Sequence, residues 1–160
     1  MLVHKLQIDT TDDVDFELIA IHTTLEDYRL AYFINQKFEV LLHKNKQEVS
    51  LSIKEGEAYF SRYSFENSDN EVYWDLIQNK SEVVIQKKYS DKNLFENTTH
   101  EVTTKVYLLP EFKKADYILK VENSKHSNDF IVNIINTIDR LITVYPLDAE
   151  KIKSKNNLIF

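Results

Sequence analysis

The chain has 160 residues and carries 20 Lys and Arg against 26 Asp and Glu, a net charge of -6. That sign opposes approach to phosphate and disfavours nucleic-acid binding as a general role. The absence of cysteine excludes disulfides, thiolate metal sites and a cysteine nucleophile, and the single glycine, Gly56, excludes the P-loop, the dinucleotide fingerprint and the nucleophile elbow.

Residues 2–8 read as a strand, and residues 1–15 as a whole lack an apolar core of signal-peptide length and turn acidic. Residues 16–21, FELIAI, form a near-continuous apolar run, the pattern of a strand covered on both faces. Thr24 then caps a helix that reaches Lys37, with Asp27 in its first turn. Leu25, Tyr28 and Tyr32 set an apolar stripe that Leu30, Phe33 and Ile34 broaden. Short strands are expected at 39–43 and 49–53. Residues 58–66 and 71–78 flank the turn residues NSDN and predict a hairpin. Closing it with Glu66 opposite Glu71 sets Tyr63 against Trp74, Phe65 against Val72 and Arg62 against Asp75.

Residues 80–104 are polar, with few apolar anchors, and are expected to be irregular and mobile. Strands follow at 105–109 and 115–122, the second with Ala115, Tyr117, Leu119 and Val121 on one face. Ser127 or Asn128 caps a long helix whose stripe runs through Ile131, Ile134, Ile135, Ile138, Leu141, Ile142 and Tyr145, until Pro146 ends it. Asp148 caps a short C-terminal helix through Lys153, and an apolar tail occupies 154–160. The stretch 130–144 is interrupted by Asn133, Asn136, Asp139 and Arg140, so no membrane span is expected. The order predicts one α+β domain over 1–160: a largely antiparallel sheet with two main helices packed on one face and a short C-terminal helix.

Residues 109–117 read LPEFKKADY. The run resembles the signature of the IPExxxVDY family of small bacterial proteins: Pro110, Glu111, Asp116 and Tyr117 fall in place, Leu109 stands for Ile and Ala115 for Val. Residues 17–35, with DYRL at 27–30, and the tail KSKNNLIF are similar to the same family, although Ala20 stands where its strand carries Gly. The resemblance implies a cytoplasmic protein of Bacteroidetes-type bacteria with no assigned biochemical activity.

Arg29, Glu111, Asp116 and Tyr117 are the candidate binding residues, Arg29 as a bidentate anion partner and the two carboxylates as a divided acid-base pair. Strand alternation sends Asp116 and Tyr117 to opposite faces, which favours a structural role for the signature. Leu158, Ile159 and Phe160 form either a docking peptide or a tail folded onto its own core. His4, His22, His43, His100 and His126 show no metal-ligand spacing, so no metal, cofactor or catalytic residue is assigned. The expected function is a non-catalytic protein-interaction module with a protein partner. The alternatives are a small enzyme or ligand-binding domain using Arg29, Glu111, Asp116 and Tyr117, and an RNA-associated adaptor using Lys151, Lys153 and Lys155.

Overall fold

The computed structural model describes residues 16–88 and 99–160. The strand expected at 2–8 lies outside them. The main sheet is antiparallel throughout. It contains β1 (Phe16–Thr23), β2 (His43–Lys44), β5 (Arg62–Asn67), β6 (Val72–Gln78), β9 (Tyr117–Glu122) and β10 (Leu141–Leu147), in the order β10-β1-β9-β6-β5-β2. Two further hairpins pair β3 (Val49–Ile53) with β4 (Gly56–Phe60), and β7 (Lys80–Lys88) with β8 (Thr99–Tyr107). The helices are α1 (Asp27–Lys37) and α2 (Asn128–Ile135). An α+β domain with a largely antiparallel sheet is therefore the observed class.

The FELIAI run is apolar on successive residues because β1 sits between β9 and β10 with a core on each side. Leu18, Ile19, Ala20 and Ile21 are all fully buried. Ile19 and Ile21 enter one core with Trp74, Leu76 and Leu119 of the sheet, Leu30 and Ile34 of α1, and Ile131 and Ile135 of α2. Leu18 and Ala20 enter a second core with Ile77, Ile118, Phe60, Leu109, Ile152 and Leu158.

Several local expectations change. Helix α1 begins at Asp27 with Glu26 at its N-cap, and Thr23 rather than Thr24 serves the entry, its hydroxyl accepting from the Leu25 N–H at 3.0 Å. Leu30, Ala31 and Ile34 form the buried stripe of α1, while Tyr28 and Tyr32 are more than half exposed. The strand expected at 39–43 shrinks to His43–Lys44. The stretch 58–66 is divided at Ser61 between β4 and β5. In the β5–β6 hairpin the register slips by two residues: Arg62 lies opposite Ile77, and Phe65 rather than Tyr63 faces Trp74. The Asn67 carboxamide accepts from the Asp69 N–H, and Glu71 takes a φ of 53°, so the loop starts one residue later than NSDN suggests. A two-residue slip leaves every side chain on its face.

Residues 80–88 and 99–104, expected to be irregular, belong to the paired strands β7 and β8. Alternation places Val83 and Ile85 on one face with Val102 and Val106, and intervening Lys, Thr and Glu mask that period. Ala115 joins the second core and not the face of Tyr117, because β9 begins only at Tyr117.

The long final helix is the largest correction. Ser127 caps it as expected, accepting from the Phe130 N–H at 3.3 Å, but α2 ends at Ile135. The Ile134 carbonyl accepts from both the N–H (3.0 Å) and the hydroxyl (2.7 Å) of Thr137, which closes the helix end. Arg140, at a φ of 69°, turns the chain, and Leu141–Leu147 returns as an edge strand beside β1. Among the described residues β10 pairs with β1 alone, and Pro146 is tolerated on a strand with one side free of ladder bonds. The C-terminal helix becomes two short 3-10 turns, Ala149–Lys151 and Lys155–Leu158.

Candidate functional site

The signature forms a corner between β8 and β9. Leu109 is fully buried, and Pro110 opens a 3-10 turn over Pro110–Phe112. The corner is held by Asn79, a fully buried residue between β6 and β7 that sequence reasoning missed. Its carboxamide donates to the carbonyls of Phe112 (2.9 Å) and Ala115 (3.0 Å) and accepts from the Leu109 N–H (2.8 Å). Its main-chain N–H donates to the Asp116 carbonyl, and its own carbonyl accepts from the Leu108 N–H, each at 2.9 Å.

The signature side chains are each held by a different part of the fold. Glu111 accepts from the main-chain N–H of Ser154 at 2.8 Å and from the Ser154 hydroxyl, latching the C-terminal segment to the corner. Burial pushes its carboxyl up, but the Ser154 hydroxyl and the main-chain N–H groups of Glu111, Ser154 and Lys153 together outweigh this and hold it below its ordinary value. Asp116 accepts from the Thr23 N–H at 3.0 Å and from Lys80 at 2.6 Å, joining the end of β1 to the start of β7. Tyr117 buries its ring in the first core and donates its hydroxyl to the Leu25 carbonyl at 2.8 Å, just before α1. Burial first, and then the charges of Asp27 and Asp116, push that hydroxyl far above its ordinary value, so it stays a donor. Tyr117→Phe keeps the ring and removes the bond. It is expected to lower the unfolding free energy by about 1–2 kcal/mol, read from the urea midpoint.

Arg29 is exposed on α1 and shares no hydrogen bond with Glu111, Asp116 or Tyr117. In the tail, Leu158 is fully buried in the second core, and Asn157 donates to the Leu108 carbonyl at 2.8 Å. Ile159 remains 75% exposed. Phe160 lies with its ring centroid 4.1 Å from the Arg62 guanidinium carbon and 5.1 Å from Lys120 Nζ.

A second polar cluster joins Asp27 of α1, Lys44 of β2 and Ser61. The Ser61 hydroxyl donates to Asp27 and accepts from Lys44. Burial raises the Asp27 carboxyl, and the bonds from Ser61, the Tyr28 N–H and Lys44 more than reverse this. The three groups satisfy one another, and Ser61 is buried, so the cluster fastens α1 to the sheet edge.

A cleft opens beside that edge. The Asn35 carboxamide clamps Leu42, accepting from its N–H at 2.8 Å and donating to its carbonyl at 2.9 Å. Leu42 is thereby bonded to the helix, and β2 opposes only Tyr63 and Ser64 of β5. The cleft, of about 490 Å³, has Phe38, Val40, Phe65, Val72 and Trp74 as its apolar lining, and Asn67, Asn70, Asn123, Lys125 and His126 among its polar residues. An aromatic row leads outward: Trp74 to Phe38 (5.1 Å between centroids), Phe38 to His126 (6.2 Å), and His126 stacked on Phe130 (4.7 Å). The rim is fixed by two residues with left-handed backbone, Asn123 (φ 52°) and Glu71 (φ 53°), whose side-chain amide and carbonyl meet at 2.9 Å.

Among the described residues no group of three or more His, Asp or Glu side chains is placed to hold a metal ion, and no helix is long and apolar enough to cross a membrane. The chain matches no protein-family model, no curated protein and no solved structure.

Proposed function

We propose that this chain is a non-catalytic protein-interaction module of the bacterial cytoplasm and a member of the IPExxxVDY family. The observation that carries the reading is the use of the signature's polar groups. Glu111, Asp116 and Tyr117 are each hydrogen-bonded to a different element of their own fold, which suits corner-forming residues better than reactive ones. A shared site would need these groups and Arg29 around one substrate. In this reading α1 and α2 cover one sheet face, and the tail lies on the other with Ile159 and Phe160 presented to a partner.

The test separates display from folding. Deleting residues 156–160 would remove Leu158 from the core and the Asn157 bond to Leu108. Replacing Ile159→Ser together with Phe160→Ser leaves both in place. The double variant is expected to lose the partner captured from native cells by the wild-type chain, with a stability loss of about 1 kcal/mol from the cation–π contacts of Phe160. Equal capture by both proteins would remove the tail from the reading.

A further inference from the structure

We propose that the cleft beside β5 binds an extended segment of a partner polypeptide, added as a short strand to the open edge of β5. One bulky apolar side chain of the segment sits on Phe65, Val72 and Trp74, and an acidic neighbour faces Lys125. The proposal deepens the interaction reading, yet it uses the sheet face opposite the tail: Trp74 belongs to the first core and Leu158 to the second.

The main chain gives the first argument. The Arg62 carbonyl accepts from the Asn45 N–H on the outer side of β5, whereas the Ser61 carbonyl accepts from Gln78 of β6. Alternation along a strand then turns the main-chain groups of Arg62, Ser64 and Glu66 outward. Among the described residues no strand pairs with β5 beyond Ser64, so the N–H and C=O of Glu66 lie on the unpaired outer side of the strand, between Phe65 and Asn67, which line the cleft. A bare edge of this kind accepts another extended chain. Asn35 bonds the Leu42 main chain on the side of β2 turned away from β5, and at Leu41 the pairing with β5 has already ended.

The pocket gives the second argument. Its volume of about 490 Å³ falls at the lower end of the range seen for ligand clefts, room for one large side chain with its flanking backbone. Asn67, Asn70 and Asn123 carry both donors and acceptors, as peptide groups do. Charge sets the sequence preference. Lys125 stands at the rim and forms no ion pair among the described residues, and so selects an acidic residue beside the anchor. Glu39, also lining the cleft, disfavours a second one.

Trp74 is the only tryptophan of the chain and lies in the cleft, so its fluorescence reports occupancy. The probe is an acetylated, amidated heptapeptide with a central phenylalanine, one adjacent glutamate and threonine or valine elsewhere. Two further versions carry backbone N-methyl groups on alternate residues, one set or the other. The full chain is expected to give a saturable Trp74 change with the parent peptide. One N-methylated version should bind about tenfold or more weakly and the other normally, because an added strand uses alternate amides. Lys125→Glu should weaken the parent peptide and bind the version with lysine in place of glutamate. Glu66→Pro should remove the edge donor and weaken binding to a similar degree. No saturable change up to millimolar peptide would overturn the proposal, as would equal binding of both N-methylated versions. Full competition by phenylalanine amide alone would assign the cleft to a small aromatic molecule instead. The Ile159/Phe160 double variant should bind the peptide normally, which keeps the two readings separable.

Discussion

Asn79→Ala is expected to lower the unfolding free energy by about 3–5 kcal/mol, the largest single effect we predict outside an ion pair. The side chain makes three hydrogen bonds, and all three partners are main-chain groups of the corner: the Leu109 N–H and the carbonyls of Phe112 and Ala115. Each group left buried without a partner carries a desolvation penalty of roughly 1–3 kcal/mol, and partial relaxation keeps the total below the sum. Asn79→Asp sharpens the result. It keeps the shape and the acceptor but brings a buried charge in place of both donors, so it should be at least as damaging as alanine. Urea unfolding of the three proteins at neutral pH gives the measurement. A loss below about 1 kcal/mol for alanine would mean that water replaces the carboxamide and that the corner does not depend on it.

The second large effect concerns Arg62 and Asp75. Asp75 is 6% exposed, and its carboxylate accepts from Arg62 Nε and from the Ser64 hydroxyl, both at 2.7 Å. Arg62→Leu leaves the carboxylate buried with one neutral donor, and removing one partner of such a pair lowers stability by about 3–5 kcal/mol. The double replacement Arg62→Leu with Asp75→Leu takes away both charges and should restore most of the loss. The coupling in this double-mutant cycle, measured by urea unfolding, is the quantity at issue. Additive losses would show that solvent screens the pair. The single Arg62 variant should also disturb the tail, because Phe160 lies on the guanidinium.

How far the sequence carried the fold depended on whether local pattern and final environment agreed. The central position of β1 was legible in FELIAI, since only a strand covered on both faces has successive buried residues. The corner role of LPEFKKADY was legible from Pro110 and from the alternation that divides Asp116 and Tyr117. Its fastenings were not, because Ser154 lies 43 residues from Glu111 and Asn79 is a lone amide between two strands. The segment 141–147 was misread because Ile138, Leu141, Ile142 and Tyr145 satisfy a helical period, while the turn that separates them from α2 is made by Arg140 with no glycine to mark it. The hairpin lost its register for the same reason, with Glu71 in the left-handed region. The cleft had no local signature at all. Its lining comes from four separate stretches of the chain, 38–40, 65–70, 72–74 and 123–126, which only the fold brings together.

The place of β1 in the sheet has a consequence for synthesis. Its two neighbours are β9 and β10, and contacts such as Tyr117 to Leu25 and His22 to Tyr145 join residues 92 and 123 apart. A ribosome therefore releases a strand with four successive fully buried residues, Leu18 to Ile21, long before either partner exists. Until then FELIAI has no lateral hydrogen-bonding neighbour of its own, and it competes for those of other chains or for a chaperone. Closure of the sheet must wait for the last quarter of the polypeptide, which makes nascent-chain length a control on when this domain becomes resistant to proteolysis.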